Sequence, residues 1–347
     1  MKVQIKSFGQ YKGQSFDEIF IENKHGVVVS FSDLGARINR WQVPNADGTK
    51  DDIILGYDDA NQVFEGRTYY YGATIGRIAG RIKQGKFRLN NQDYQLDINN
   101  NDNHLHGGAD GYDIQKWHYE IVEEENSIKV IFNYTEKDGT SGFPADIYNR
   151  VTHTFDDDNN WTIDYYAESS DATIYNPTNH VYFNLNGSNH EAITNHLFEV
   201  KATHYLPTKE DAIPTGEIER VDDTPFDLRS PVKFGDLLSS DHPQFKLVDG
   251  FDHPFVLDNE SPYALKIEQP DNKRSIIVTT DRPIVVIYTH SAIPVPMAVW
   301  GHDLEPYAGV AIELQAAPDA INRPQFGNVI LEKGEIFEST TRYHLSL

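Results

Sequence analysis

Short segments rich in β-branched and aromatic residues recur along the whole chain, and Gly, Asn, Asp or Pro bounds each of them. This pattern predicts strands. The segments are residues 27–31, 128–134, 151–155, 161–168, 276–280, 284–289 and 310–315. Helical patterns cover only residues 58–64 and 232–238, so strands do not alternate with long helices as in a parallel α/β fold. The sequence therefore predicts an all-β fold, a large antiparallel β-sandwich with a few short helices.

Length and charge restrict the domain organisation and the possible partners. The 347 residues contain no linker-like stretch, so we assign residues 1–347 to a single domain. The net charge of −23 argues against binding to nucleic acid or to an anionic membrane surface. There is no cysteine, no signal-peptide pattern and no apolar run of the roughly 20 residues that span a bilayer. We expect a cytoplasmic protein, and the sequence is compatible with a monomer or a homodimer.

The strand predicted at residues 310–315 carries a single carboxylate. Strand alternation places Ile312 and Leu314 on one face and Glu313 on the other. If the second face is exposed to solvent, Glu313 is an ordinary surface side chain. If that face is covered, the carboxylate is partly desolvated, its pKa rises and it can act as a base. The strand pattern alone leaves both interpretations open.

A second strand pattern, over residues 180–186, has a polar face without the Lys, Glu or Thr of an ordinary exposed face. The residues on this face all have hydrogen-bonding side chains: His180, Tyr182, Asn184 and Asn186. The intervening residues are apolar. The pattern fits either a wet face that ends in an Asn-Gly turn or a face that binds a ligand.

Two histidines, His104 and His106, share a strand face before a pair of glycines. An H-x-H pair can belong to a metal site, but such sites add a nearby Glu and a further His, and here Gly-Gly-Ala-Asp follows. A histidine that hydrogen-bonds a ligand or the backbone is the favoured interpretation. We therefore predict no metal and no cofactor.

Two arginines and an aspartate complete the set of candidate site residues. Arg77 and Arg81 lie four residues apart with small residues between them that allow close approach of the backbone. They fit either surface charge or guanidinium groups that donate to sugar oxygens or to a carboxylate. Asp252 lies in a compact turn, where a turn-forming Asp is the default explanation. Asp252 and Glu313 together would also suit a glycosidase, whose two carboxylates lie about 5–9.5 Å apart.

In this order the motifs resemble those of the aldose 1-epimerases, also called galactose mutarotases. The resemblance covers nearly the whole chain, and the blocks around His180 and Glu313 are the most specific. The matching stretches are residues 34–37 (LGAR), 76–82 (GRIAGRI), 105–108 (LHGG), 176–185 (NPTNHVYFNL), 252–255 (DHPF) and 313–322 (ELQAAPDAIN).

The resemblance implies a fold, a reaction and roles for individual residues. It implies an antiparallel sandwich with the site in a cleft on its concave side. The implied enzyme is an isomerase that interconverts the α and β anomers of a free aldohexose such as galactose or glucose. Glu313 would be the general base and His180 the general acid. The resemblance also assigns sugar binding to Arg81, His106 and Asp252. The polar-face and arginine patterns add Tyr182 and Arg77 to these predicted ligands.

Ring opening by this pair requires Glu313 to be ionised and His180 to be protonated. The reference pKa values of the two groups are about 4.3 and 6.5. We therefore expect negative charge near His180 to raise its pKa, a role that Glu313 itself could fill.

Substrate preference is the most open part of the prediction. Residues 288–293 and 294–307 depart from the family pattern where the family closes one side of the sugar pocket. The alternatives are a hexose-6-phosphate 1-epimerase, a glycosidase that uses Asp252 and Glu313, and a non-catalytic carbohydrate-binding protein. A phosphate would require a basic cluster that the sequence does not show.

Overall fold

The computed structural model describes residues 1–187, 191–258 and 260–347. Strands dominate these residues, and the all-β prediction is confirmed. The strands of the first half are β1 (Lys2–Tyr11), β2 (Gln14–Glu22), β3 (Val28–Ser32), β4 (Arg37–Pro44), β5 (Lys50–Asp52), β6 (Thr74–Ile75), β7 (Arg81–Ile82), β8 (Lys86–Leu89), β9 (Gln92–Gln95), β10 (His104–Leu105), β11 (His118–Glu123), β12 (Ser127–Glu136), β13 (Ile147–Asp156), β14 (Asn160–Ser169), β15 (Thr173–Ile174), β16 (Thr178–Asn179) and β17 (Val181–Phe183).

The second half contains further strands and two of the three short α-helices in the described residues. The helices are α1 (Ala60–Glu65), α2 (Phe234–Leu237) and α3 (Pro243–Lys246). The strands are β18 (Leu197–Val200), β19 (Ala202–Tyr205), β20 (Glu219–Arg220), β21 (Val232–Lys233), β22 (Asp252–Leu257), β23 (Leu265–Glu268), β24 (Ser275–Thr280), β25 (Ile284–Tyr288), β26 (Ala298–Val299), β27 (His302–Asp303), β28 (Val310–Gln315), β29 (Ile330–Leu331) and β30 (Ile336–Ser346).

Three antiparallel sheets form the body of the molecule. A nine-stranded sheet has the order β11-β12-β13-β14-β30-β24-β23-β18-β21, and a six-stranded sheet has the order β17-β28-β25-β22-β19-β20. A five-stranded sheet follows chain order from β1 to β5. Neighbours such as β17 and β28 are distant in sequence, so sheet pairing brings together motifs that the chain separates widely.

Aromatic rings pack the three sheets against one another. Trp41 of β4 meets Trp161 of β14 edge to face, with ring centroids 5.8 Å apart. Phe183 of β17 contacts Trp41 at 6.1 Å and Tyr343 of β30 at 5.7 Å. All four rings belong to one buried cluster. A shared core is what a single domain would have, and the assignment of residues 1–347 to one domain stays a prediction.

The strands predicted from the sequence coincide with observed strands, with shifts at their ends. The segment at 310–315 is β28, and the hairpin at 151–155 and 161–168 is formed by β13 and β14, which are longer. The helix predicted at 58–64 is α1, which the Asp59 side chain caps by accepting a hydrogen bond from the Gln62 backbone N–H. No helix in the described ranges is long and apolar enough to cross a membrane.

Candidate active site

A cleft of about 200 Å³ lies over the face of the six-stranded sheet that points away from the core. Glu313, Val286 and Pro254 stand opposite one another on β28, β25 and β22, and all three line the cleft. Ile312 and Leu314, on either side of Glu313, belong to the core cluster. This volume is smaller than the roughly 300–1,000 Å³ of sites for drug-sized ligands, so the cleft suits a small molecule.

Glu313 is buried, with 4% of its surface exposed, so the interpretation that this strand face is exposed to solvent is wrong. His180 immediately precedes β17, which pairs with β28 through Val181 and Ile312. The backbone of His180 is fixed on both sides, since its N–H donates to Ala73 and its carbonyl accepts from Gly72. As a result, Nε2 of His180 lies 3.4 Å from Oε1 of Glu313.

Asn176 joins the two most specific sequence motifs. Its Oδ1 accepts a hydrogen bond of 2.7 Å from the N–H of Ala316, and its Nδ2 donates to the carbonyl of Ala316 at 3.1 Å. The side chain therefore fixes the end of β28 relative to the segment that leads to His180.

The structure brings six of the seven predicted site residues to this cleft. They are Arg81, His106, His180, Tyr182, Asp252 and Glu313. Tyr182 packs flat on His180, with ring centroids 5.0 Å apart. Arg81 donates a hydrogen bond from Nε to the side chain of Asn100 at 3.0 Å and stays partly exposed.

Arg77 is the exception, because its side chain is fully buried outside the cleft. Its Nε lies 2.7 Å from a carboxylate oxygen of Glu136, itself buried. The terminal nitrogens donate to Thr173 and to the carbonyls of Pro144 and Ala145. A guanidinium with these partners has no donor directed at a ligand, so the predicted sugar-binding role of Arg77 is corrected to a structural one.

His106 presents a defined tautomer to the cleft. The backbone N–H of Gly80 donates to its Nδ1 at 3.1 Å, so the proton of the neutral ring is on Nε2. Burial lowers the pKa of His106 well below its usual value, which keeps the ring neutral. Gly107 allows the backbone that follows His106 to pack closely, because a Cβ at Gly107 would lie 1.7 Å from the carbonyl oxygen of Gly76.

Burial shifts the pKa values of Glu313 and His180 in opposite directions. It raises the pKa of Glu313 to about 8, and the charge of Asp252 adds to the increase while that of Arg81 opposes it. It lowers the pKa of His180 to about 3. Burial therefore favours the uncharged form of both groups, with the proton on Glu313 and not on His180. This is the opposite of the charge state expected from the sequence, because burial removes the hydration that stabilises the two charged forms.

His106, His180 and Glu313 could also bind a metal ion. Each offers one donor atom, and these atoms all lie within 4.8 Å of one another. Two imidazoles and a carboxylate suit zinc or iron. The absence of a metal from the reaction stays a prediction.

Tyr70, Thr208 and Gln315 are among the cleft residues that sequence reasoning did not assign to the site. Tyr70 lies beside both histidines, with ring centroids 4.8 Å from His106 and 5.8 Å from His180. Gln315 is two positions from Glu313, so strand alternation places it on the same face, but the pattern gave it no role in the site. Thr208 and Tyr70 carry no local signal, because loop folding alone brings them to the cleft.

The fold and the cleft define an acid–base enzyme of the β-sandwich class, since a desolvated carboxylate–imidazole pair lies where a small polar ligand can enter. A family model described as aldose 1-epimerase matches residues 17–344. The chain belongs to the aldose 1-epimerase family and is an enzyme of the isomerase class. The family resemblance predicted from the motifs is confirmed.

Several relatives support this membership over most of their length. The galactose mutarotase of Bos taurus is 35% identical over 316 residues, which cover 90% of this chain and 89% of the bovine protein. The aldose 1-epimerase of Escherichia coli K12 is 31% identical, with 95% of each chain covered. The crystal structure of a galactose 1-epimerase from Lactobacillus acidophilus NCFM superposes with a TM-score of 0.88 at 30% identity and covers 99% of this chain and 98% of that one.

Proposed function

We propose that the protein interconverts the α and β anomers of a free aldohexose, such as galactose or glucose, with Glu313 as the general base and His180 as the general acid. The observation that carries the proposal is the 3.4 Å contact between His180 Nε2 and Glu313 Oε1 inside the cleft. The family membership and the names of the relatives support the same reaction.

The chemistry requires one proton to leave the C1 hydroxyl and one to reach the ring oxygen O5. Glu313 takes the first and His180 gives the second while the C1–O5 bond breaks, which yields the open-chain aldehyde. Rotation about C1–C2 presents the other face of the carbonyl, and the same steps in reverse close the ring. No atom is gained or lost, so the reaction needs no redox partner.

The environment of the pair favours these transfers. A carboxylate whose pKa is about 8 is a stronger base than an ordinary one, and an imidazolium whose pKa is about 3 is a stronger acid. Ring opening leaves the proton on Glu313 and His180 neutral, which is the state that burial stabilises. The reactive state, with Glu313 ionised and His180 protonated, requires a proton to pass from Glu313 to His180, whose Nε2 lies 3.4 Å from Oε1 of Glu313.

Three of the other predicted residues would hold the sugar. His106 directs a donor, Nε2–H, and Arg81 a cation toward the cleft, while Asp252 supplies an acceptor. Tyr182 would orient His180 by stacking rather than act on the proton itself.

A free sugar is favoured over a hexose 6-phosphate. Arg81 is the one Lys or Arg among the described residues that line the cleft, and two carboxylates lie there too. A phosphate site normally gathers several cations. We propose a small sugar as the ligand, with no nucleic acid or membrane partner. A cytoplasmic location and a monomeric or homodimeric state stay predictions.

Polarimetry of freshly dissolved α-galactose and α-glucose tests the proposal. We expect the protein to accelerate mutarotation of the free sugars more than that of the 6-phosphates and to release no sugar from a glycoside. Glu313→Gln and His180→Asn should each lose at least about 100-fold in kcat.

His153→Asn is the matched control, because His153 is also buried but lies outside the cleft. Its activity per folded molecule should stay near normal. Near-normal rates in both site variants would overturn the assigned roles, and binding of sugar without mutarotation would favour the non-catalytic alternative.

A further inference from the structure

Thr208 is a cleft residue whose hydroxyl has no assigned partner. It follows β19, lines the cleft and is 3% exposed. Its Oγ1 is buried and makes no hydrogen bond with any of the described residues. Buried hydroxyls are normally hydrogen-bonded, so this atom is suited to bind a polar group of the ligand.

Gln244 of α3 fixes the backbone of Thr208 through two hydrogen bonds. The N–H of Thr208 donates to Oε1 of Gln244 at 2.7 Å, and Nε2 of Gln244 donates to the carbonyl of Thr208 at 3.0 Å. One amide therefore satisfies both backbone groups of Thr208, which leaves the hydroxyl as its one polar group without a partner among the described residues.

His253 connects this amide to Asp252. The backbone N–H of Asp252 donates to Nδ1 of His253 at 3.2 Å, so the neutral ring carries its proton on Nε2. That nitrogen lies 3.2 Å from Oε1 of Gln244 and donates to it. Burial lowers the pKa of His253 to about 3, so the ring stays neutral and this direction of donation is fixed at neutral pH. We call Gln244 and His253 the brace.

Strand order shows which part of the sugar Thr208 would meet. In the six-stranded sheet, β19 follows β22, which carries Asp252, whereas β28 with Glu313 lies two strands beyond β22. Thr208 therefore lies on the Asp252 side of the cleft. A sugar with C1 and O5 at the catalytic pair would direct its remaining hydroxyls toward this side.

We propose that Thr208 binds a hydroxyl of the aldohexose remote from C1. The brace fixes the position of Thr208 relative to Asp252, so that the two residues select the sugar together. The inference rests on the proposed function, because it names a ligand of the same site. Thr208 is a binding residue, and Gln244 and His253 are positioning residues. Together they act on affinity and on the choice among sugars that differ at the contacted carbon.

The test compares Thr208→Val, which removes only the hydroxyl, with Thr208→Ser, which retains it. We expect Thr208→Val to raise KM about 3- to 10-fold, the effect of one lost hydrogen bond, and to leave kcat close to normal. Thr208→Ser should restore most of the affinity. Thr341→Val, a buried position on β30 outside the cleft, is the matched control and should leave KM unchanged.

Monodeoxy sugars separate direct contact from a change of structure. The effect of Thr208→Val should disappear for the one deoxy sugar that lacks the contacted hydroxyl and persist for the others. Gln244→Ala should raise KM as well, and its effect should not add to that of Thr208→Val, since both remove the same interaction.

An unchanged KM in Thr208→Val, or an increase of equal size for every deoxy sugar, would overturn the proposal. If the unmodified protein does not catalyse mutarotation, the proposed function fails separately. Calorimetric titration of the same sugars into the unmodified protein and Thr208→Val then decides the role of Thr208, with equal affinities counting against it.

Discussion

Nε2 of His180 lies 3.4 Å from Oε1 of Glu313, and each residue has only 4% of its surface exposed. Two titratable groups this close interact strongly and titrate as a unit. Because water is largely excluded, the unit is neutral in the unliganded enzyme. The pH dependence of the reaction should therefore follow the pair and not the ordinary values of either side chain.

The value of kcat/KM should be constant around neutral pH and fall above about pH 8. With a pKa of about 8 for Glu313 and about 3 for His180, the pair holds one proton between these limits. Above the upper limit the proton is lost and no acid remains. Polarimetric rates from pH 5 to 9.5, after subtraction of the spontaneous rate, measure this profile. A decline centred near pH 6.5 would instead indicate an ordinary histidine.

Two neighbouring charges should shift the alkaline limb of the profile, which is the fall of kcat/KM above about pH 8, in opposite directions. The charge of Asp252 raises the pKa of Glu313, so Asp252→Asn should shift the limb to lower pH. The charge of Arg81 lowers that pKa, so Arg81→Gln should shift it to higher pH. Both variants also weaken binding, so the midpoint of the limb is the measurement, and shifts of the same sign in the two variants would contradict the prediction.

Glu313→Gln should lose at least about 100-fold in kcat and yet stabilise the fold at alkaline pH. The pKa of Glu313 rises from 4.5 to about 8 on folding, so between these values the folded state binds a proton that the unfolded state does not. Stability of the unmodified protein should then fall by up to roughly 1.4 kcal/mol per pH unit. Urea denaturation at pH 5 and pH 8 should show that the free energy of unfolding of the variant increases relative to that of the unmodified protein as pH rises. A difference that does not change with pH would refute the burial argument.

Arg77→Lys should reduce stability without a specific effect on sugar binding. The change keeps the positive charge beside Glu136 but replaces the planar guanidinium, whose donors reach Glu136, Thr173 and two backbone carbonyls, with a single ammonium group. Each buried acceptor left unpaired costs about 1–3 kcal/mol. Urea denaturation should show this loss, whereas Arg81→Lys should raise KM with little loss of stability. A stable Arg77→Lys enzyme with raised KM would restore the sugar-binding role.

Removal of metal ions should leave the activity unchanged, because the proposed steps move only protons. Added Zn²⁺ should inhibit, since His106, His180 and Glu313 offer it three donor atoms within 4.8 Å of one another. Activity before and after dialysis against EDTA, and titration with Zn²⁺ in the assay, provide the measurement. Activity that is lost on dialysis and restored by a divalent metal would show that the ion takes part.

The sequence by itself determined the strands and the faces of the strands. The period-two pattern of residues 310–315 located β28 and separated Ile312 and Leu314 from Glu313. The motifs identified the family. These features are local, because alternation and turn chemistry depend on neighbours in the chain.

Tertiary structure alone decided the contact of His180 with Glu313, because it arises from the pairing of β17 with β28, which are remote in sequence. It also separated Arg77 from Arg81, which the sequence pattern treats alike, and brought Thr208 to the cleft. The charge state of the pair was predicted in the wrong direction for the same reason. Desolvation depends on everything packed around a group, and that surrounding exists only in the folded chain.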